Sequence, residues 1–172
     1  MKKIKLNLSL FVCVLLFFTF LNSNIFAAKE YKEYIKVGIL SNQKELTVAS
    51  DKKYHFIHNN KKYSLSEGKI KIELKNNKAV ILNKSYTLPI KFVPTTYIVV
   101  NNKIYRGNII IDHCKTGNNI INELKMEDYL KGILPKEANS SWNSETLKAQ
   151  AVISRTYALK NIGKHLKEGF DI

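Results

Sequence analysis

The chain has 172 residues, enough for one domain or part of one, and 45% of them are hydrophobic, which excludes a disordered chain as the default. Its formal net charge is +14, from 28 basic and 14 acidic residues. Because the basic residues are scattered, without an arginine-rich stripe or an aromatic nucleic-acid motif, the charge favours an anionic polymer or a membrane surface and argues against nucleic acid.

The N-terminus has the features of an export signal. It begins with a lysine-rich stretch, continues with an apolar run over residues 8–21, and offers a small-residue cleavage site at Ala27–Ala28. The apolar run is shorter than the roughly 20 residues that cross a bilayer. We therefore expect a signal peptide over residues 1–27, with an uncleaved N-terminal membrane anchor as the alternative. Either one predicts an exported, extracytoplasmic protein.

The reactive side chains give little sign of a metal or thiol site. The four histidines show neither HExxH spacing nor a partner CxxC motif. Cys13 falls in the apolar run, so removal of the signal would leave Cys114 without a second cysteine for an internal disulfide. Adjacent residues of a strand point to opposite faces, so His113 and Cys114 are poorly placed to act together. We predict a buried structural cysteine.

A period-two pattern in short pieces fills the chain from Tyr34 to about Ile111, and residues 119–126 read as a further strand. Asparagine pairs and a Ser-Glu-Gly stretch separate the pieces, as expected of turns. Pro89 and Pro94 flank one short strand and indicate an edge or a crossover. The predicted strands are Tyr34–Leu40, Glu45–Ala49, Tyr54–His58, Lys69–Leu74, Ala79–Leu82, Ile90–Phe92, Tyr97–Val100, Lys103–Ile111 and Asn119–Met126.

The pattern then becomes helical. Met126–Gly132 reads as a short helix that ends at its glycine, and Ser144–Asn161 reads as a long helix with an N-cap at Asn143 or Ser144. Its alanines would let another backbone approach closely, which predicts a buried central helix packed across the sheets. The predicted fold class is α+β, with many short, mostly antiparallel strands, a short helix and one long central helix near the C-terminus.

Glu137 is the main catalytic candidate. It follows a mostly apolar segment with a rigid proline, and apolar surroundings favour the protonated form of a carboxyl group, as a general acid for glycosidic cleavage requires. The alternative is a helix cap or a solvated charge. Trp142 is either a sugar-stacking platform or a core plug. Arg155 is a weaker candidate for substrate binding, since pairing with a carboxylate is the favoured interpretation.

Two long motifs resemble the SpoIID/LytB domain family, which includes stage II sporulation protein D and amidase enhancers. Residues 124–137 resemble its EDYLxGVxPxEM signature, and residues 147–159 resemble its ALKAQAVAARTYAL helix. Tyr105–Gly107 matches its YRG strand and Lys36–Ile39 its opening strand. Ala138 replaces the usual methionine, and Asn143-Ser144 replaces the proline before the long helix.

The resemblance implies an exported protein that acts on peptidoglycan. Sporulation members of the family are lytic transglycosylases that prefer glycan strands stripped of stem peptides, and the catalytic glutamate of the PxE motif corresponds to Glu137. Family domains continue beyond the equivalent of Ile172. We therefore expect residues 34–172 to be the N-terminal part of a truncated or split SpoIID-like domain. The resemblance implies zinc only together with that further region, and His165 is the weak candidate ligand in this chain.

Three functions stay open at this point. The first is a SpoIID-type lytic transglycosylase that remodels the cell wall during sporulation, with vegetative wall turnover as another setting. The second is a non-catalytic wall-binding module or amidase enhancer, and the third is a fragment without independent function. Expected partners are peptidoglycan glycan strands and other sporulation wall hydrolases. The membrane would be a partner only through an uncleaved N-terminal segment.

Overall fold

Twelve antiparallel strands and two helices make up the part of the chain that the computed structural model describes, residues 32–115 and 117–172. The predicted signal peptide lies outside these residues. The strands are β1 (Tyr34–Ser41), β2 (Glu45–Ser50), β3 (Tyr54–His58), β4 (Lys61–Leu65), β5 (Gly68–Lys75), β6 (Lys78–Ile81), β7 (Lys84–Thr87), β8 (Ile90–Val93), β9 (Tyr97–Val100), β10 (Lys103–Arg106), β11 (Asn108–Cys114) and β12 (Gly117–Lys125). The helices are α1 (Met126–Glu137) and α2 (Ser144–Asn161), followed by a 3₁₀ turn at Leu166–Glu168. This confirms the predicted α+β class.

The strands form two six-stranded sheets. Sheet A has the order β1-β12-β11-β8-β3-β4, and sheet B has the order β10-β9-β2-β5-β6-β7. Alternate residues of both sheets share one apolar core, in which Phe92 and Ile109 of sheet A and Ile72 and Ile98 of sheet B are fully buried. The two sheets therefore pack face to face as a sandwich.

Asparagine pairs explain the tight hairpins. The two-residue turns at 59–60, 76–77 and 101–102 are Asn-Asn, and a fourth at 82–83 is Leu-Asn. Both residues of each turn have positive φ, as the type I′ turn of a two-residue hairpin requires, and asparagine tolerates that conformation well. The asparagine content of the chain thus sets the register of four strand pairs.

Several strand predictions need correction. β4 and β7 were not predicted, because their sequences carry too few apolar residues to show a period-two pattern. The predicted strand Lys103–Ile111 is two strands in different sheets, separated at Gly107, which has a φ of 77°. For the strand between Pro89 and Pro94, the edge alternative was wrong, because β8 lies between β11 and β3 inside sheet A. The crossover alternative is confirmed, because the chain passes from β7 of sheet B to β8 of sheet A and back to β9 of sheet B.

The helices pack beside β1 and β12 of sheet A. Met126 and Leu130 of α1 and Ala158 of α2 form a second apolar cluster with Ile35 and Leu124. The bounds of α2 agree with the prediction, but its burial does not, because Ser154 and Ala158 are its only buried residues in the described part of the chain. Val152, Ile153 and Tyr157 lie on the outer side and are about 60% exposed. No described helix is both long and apolar enough to cross a membrane.

The helix α1 extends further than its sequence predicted. It continues through Gly132 and includes Pro135 in its last turn, ending at Glu137. Gly132 does not act as a helix stop here, because its backbone stays out of the positive-φ region that a glycine C-cap uses. The five additional residues carry the candidate acid to the C-terminal end of the helix.

The last residues of the chain pair with the outer edge of β1. The Asp171 amide donates to the Lys36 carbonyl, and the Gly38 amide donates to the Ile172 carbonyl. Phe170 packs over Gly38 so closely that a Cβ at that glycine would lie 2.7 Å from the aromatic ring. The carboxylate of Asp171 is buried and accepts hydrogen bonds from Lys32 Nζ and the Lys36 amide.

Candidate active site

The carboxylate of Glu137 is held by two side chains of α2. Ser154 Oγ donates a hydrogen bond to Glu137 Oε2 at 2.6 Å, and Gln150 Nε2 donates to the same oxygen at 3.2 Å. Gln150 Nε2 also lies 3.4 Å from Ser154 Oγ, which joins the three groups into one network. Within the described residues, Oε1 accepts no hydrogen bond, so it is the oxygen that remains available to a ligand.

The fold brings these groups together through a short reversal of the chain. Ala138 closes α1 with its amide on the Leu134 carbonyl, and the next residues turn around Asn139, which accepts from the amides of Ser141 and Trp142. Asn143 then caps α2 by accepting from the Thr146 amide. This cap satisfies one of the unpaired amides of the first turn and fixes where α2 begins.

A cavity of about 620 Å³ opens beside Glu137. Leu134, Pro135, Ala138 and Leu147 form its apolar side, and Glu137 is its one acidic residue among the described positions that line it. The Glu137 side chain itself is exposed. The apolar surroundings predicted from the sequence are therefore only half correct, because apolar residues lie on one side of the carboxylate and a polar pair on the other.

Tyr129 adds a phenol to this neighbourhood. Burial raises the pKa of Tyr129, and the nearby Glu137 carboxylate and Tyr157 phenol raise it further. The sign follows from charge, because a negative neighbour disfavours the phenolate. Tyr129 therefore keeps its proton at neutral pH and can act as a hydrogen-bond donor close to Glu137. The exposed ring of Tyr157 lies in the same neighbourhood.

Two weaker candidates are separated from this network. Arg155 Nη2 binds both carboxylate oxygens of Glu127 at 2.7 and 2.9 Å, which agrees with the favoured interpretation that Arg155 pairs with a carboxylate. The pair ties α2 to the first turn of α1. Trp142 is 45% exposed in the loop between the helices, which excludes the core-plug alternative and leaves its aromatic ring accessible.

The residues proposed for metal or thiol chemistry do not form a site. His165 Nδ1 lies 3.1 Å from Glu168 Oε2, and its ring stacks on Phe170. No group of three or more potential ligands occurs in the described part of the chain, so the residues present there do not fit zinc. Cys114 is buried near the end of β11 and His113 is exposed, as the alternation of a strand predicts.

Gln150, Ser154 and Tyr129 were not predicted as site residues. Gln150 and Tyr129 stand inside the two quoted motifs, whereas Ser154 stands where the ALKAQAVAARTYAL helix has an alanine. The available signal was their helical spacing, since Gln150 and Ser154 are four residues apart and therefore share one face of α2. What the sequence lacked was any indication that this face meets the C-terminal end of α1.

Comparison with known proteins identifies the segment that carries this network. Residues 114–172 match the SpoIID family, described as stage II sporulation protein. This segment belongs to the SpoIID family. The family has a sporulation-related function at the cell wall. The matched residues include β12, both helices and every side chain of the Glu137 network, whereas the resemblance at Lys36–Ile39 and Tyr105–Gly107 lies outside the match and stays a prediction.

One known protein is similar to part of the chain. An uncharacterised protein of Brachyspira hyodysenteriae (strain ATCC 49526 / WA1) is 52% identical over 54 residues, which is 31% of this chain. The chain spans about 15% of the length of that relative. No solved structure matches the chain.

Proposed function

We propose that the chain acts on peptidoglycan as a lytic transglycosylase of the SpoIID type, with Glu137 as its acid and base. One observation carries the proposal. Glu137 lines a cavity of about 620 Å³, with Oε2 fixed by Ser154 and Gln150 and Oε1 left open. A carboxyl group positioned in this way can exchange a proton with a bound glycan through a single oxygen.

The single carboxylate favours transglycosylation over hydrolysis. Glycoside hydrolases generally use two carboxyl groups about 5–10 Å apart, one as acid and the other as base or nucleophile. The described lining of the Glu137 cavity holds one acid. A lytic transglycosylase needs only one, because the hydroxyl group of the substrate itself takes the place of water.

The proposed reaction balances without a co-reactant. The protonated Oε1 of Glu137 gives its proton to the glycosidic oxygen as the bond from that oxygen to C1 of the sugar breaks. The 6-hydroxyl oxygen of the same sugar then bonds to C1 and closes an anhydro ring, while its proton passes back to Glu137.

Ser154 and Gln150 act as positioning residues in this scheme. Because both donate to Oε2, they fix the orientation of the carboxyl group and leave Oε1 facing a ligand. The Tyr129 phenol, which keeps its proton, is available as a further donor to the sugar. The exposed rings of Trp142 and Tyr157 offer flat apolar faces of the kind that pack on a pyranose ring.

The proposal includes an exported location, from the predicted signal over residues 1–27, and a substrate of glycan strands in the wall. It also includes other sporulation wall hydrolases as partners. The experiment is to incubate the purified chain with peptide-free glycan strands and to analyse the ends of the products by mass spectrometry. Anhydro ends are expected. Reducing ends would mean hydrolysis, and the absence of products together with retained binding would favour the second candidate.

That second candidate is a wall-binding module or amidase enhancer. The observation in its favour is the exposure of the Glu137 side chain, since an exposed carboxylate between two helices also serves as an ordinary structural contact. Under this function, Glu137→Gln would leave glycan binding unchanged and there would be no cleavage for the substitution to remove.

A further inference from the structure

A groove runs between the edge strand β10 and the helix α1. Glu137, Gln150 and Ser154 do not line it, whereas Tyr129 and Lys136 do. Its main cavity has a volume of about 480 Å³, and an adjoining cavity has a volume of about 410 Å³. Ile104, Arg106 and Asp128 line both, so the two cavities are continuous. We call this surface the β10 groove. Val37 and Leu124 contribute to its apolar floor.

The β10 groove carries an excess of positive charge. Lys103, Arg106, Lys131 and Lys136 line it, and Asp128 is the acidic residue on its wall. Asp128 is already paired with Lys131 at 3.1 Å. The other three cations, Lys103, Arg106 and Lys136, form no ion pair with any residue that the structure describes. The groove therefore offers three basic side chains to an anionic ligand.

The backbone of β10 offers a second element of recognition. β10 is the last strand of sheet B, and it pairs with β9 through the two-residue turn at 101–102. In such a hairpin Lys103 and Val100 form the hydrogen-bonded pair, so the N–H and C=O groups of Ile104 point away from β9, towards the open edge. The Ile104 side chain is 70% exposed. The Arg106 carbonyl further along this edge already accepts from Asn122 Nδ2 at 2.8 Å, so Ile104 is the position of β10 whose backbone groups can accept an additional strand.

We propose that the β10 groove binds an acidic peptide in an extended conformation. The main chain of the peptide pairs with Ile104 as an added strand, and its carboxylates lie against Lys103, Arg106 and Lys136. A peptide fits both elements at once, because it carries amide groups at strand spacing as well as negative charge. A bare anionic glycan or a phosphate polymer can use the cations, but it lacks the regular amide repeat that pairs with a strand edge.

This inference stands apart from the catalytic role of Glu137. Lys136 lines the β10 groove as well as the Glu137 cavity, so a peptide in the groove would lie close to a glycan at Glu137. Binding of a peptide alone does not depend on cleavage, which allows the two proposals to be tested separately.

The test is fluorescence anisotropy with the full chain and a fluorescein-labelled hexapeptide of the sequence VEEVEE. This peptide carries glutamates on both faces of an extended strand, because Lys103 and Arg106 lie three residues apart on β10 and point to opposite faces. We expect Lys103→Gln and Arg106→Gln each to weaken binding about threefold, as the loss of one exposed charge contact predicts. N-methylation of the peptide amide that donates to the Ile104 carbonyl keeps the charge and removes that hydrogen bond. It should weaken binding about fivefold or more.

Two controls locate the effect. Lys84→Gln removes a charge from β7, the strand at the opposite edge of sheet B, and should leave binding unchanged. Glu137→Gln should also leave it unchanged, so failure of the catalytic proposal would not affect this measurement. Equal binding of the N-methylated peptide, equal competition by a peptide-free anionic glycan, or no binding of the hexapeptide at all would overturn the inference.

Discussion

The two β-sheets and the two helices differ in how completely they bury their side chains. The sandwich core holds Phe92, Ile72, Ile98 and Ile109 at 0% exposure, whereas α2 leaves Val152, Ile153 and Tyr157 about 60% exposed. Apolar burial is the main source of stability, so most of it belongs to the sandwich. The two helices, which hold the candidate site, bury fewer apolar side chains than the sandwich does. Changes in the two regions should therefore have separable effects on stability and on activity.

The substitution Phe92→Ala tests most strongly whether the sandwich core supplies most of the stability. Phe92 is fully buried in sheet A and packs against Phe56 at a ring distance of 5.7 Å. Removal of such a side chain leaves a cavity, and we expect the free energy of unfolding to fall by about 3–5 kcal/mol in urea denaturation. The exposed Ile104→Ala serves as the control and should change it by less than about 0.5 kcal/mol. Similar values for the two variants would contradict the account of the core.

The next largest effect concerns the contact that ties the end of the chain to β1. Asp171→Asn removes a buried carboxylate that accepts from Lys32 Nζ and the Lys36 amide. Because Lys32 keeps 42% of its side chain exposed, we expect a loss of about 2 kcal/mol in the same denaturation assay, less than for a fully buried pair. Asp128→Asn, which breaks the exposed pair with Lys131, should cost under about 1 kcal/mol. Equal losses would show that Asp171 is not a buried anchor.

A substitution with a smaller expected effect tests whether the helices unfold separately from the sandwich. Asn143→Ala removes the N-cap of α2, which should cost about 1 kcal/mol. If the helical pair opens separately from the sandwich, amide hydrogen exchange should become faster in α2 and stay unchanged in β9 and β11. The neighbouring Ser144→Ala is the matched control. Faster exchange in both regions would mean that the helices and the sandwich open as one cooperative unit.

The smallest effect is a pH dependence that belongs to the sandwich. Burial raises the pKa of Glu123, whereas hydrogen bonds from Lys91 and Asn108 and the charges of nearby lysines lower it. The lowering effects together are larger, so the net pKa is below 4.5. Glu123 therefore stabilises the fold above about pH 4.5, and this stabilisation is lost as the pH falls through its lowered value. Denaturation at pH 6 and pH 3 should show a smaller loss of stability for Glu123→Gln than for the wild type. Glu145→Gln controls for the loss of one exposed charge, and equal slopes for wild type and Glu123→Gln would contradict the prediction.

The sequence predicted the regular parts of the fold better than their packing. The ranges of β3, β9 and α2 agree with the prediction, because period two, turn residues and a clear N-cap are local signals. β4 and β7 were missed because their apolar content is low, although the asparagine turns before them required a second strand in each hairpin. The burial of α2 was wrong because an alanine-rich face predicts close approach without naming its partner.

For the candidate site as well, the sequence predicted a residue but not the packing around it. Glu137 was predicted from a motif, whereas its hydrogen-bond donors lie 13 and 17 residues further along the chain. Their contact depends on the angle between α1 and α2, which no local pattern specifies. Gly132 was expected to end α1, and its continuation is what carries Glu137 to the face of α2 that holds Gln150 and Ser154. Sequence reasoning selected Glu137 as the candidate acid, and the packing of the helices was needed to find the residues around it.

The most direct test of the central claim compares Glu137→Gln with Glu127→Gln in the cleavage of peptide-free glycan strands. Both residues lie on α1, but Glu127 pairs with Arg155 and does not line the Glu137 cavity. The account predicts that Glu137→Gln loses the anhydro products while it still binds glycan and melts as the wild type does. Glu127→Gln should keep most of the activity. Anhydro products at the wild-type rate from Glu137→Gln would contradict the assignment of Glu137 as the acid and base.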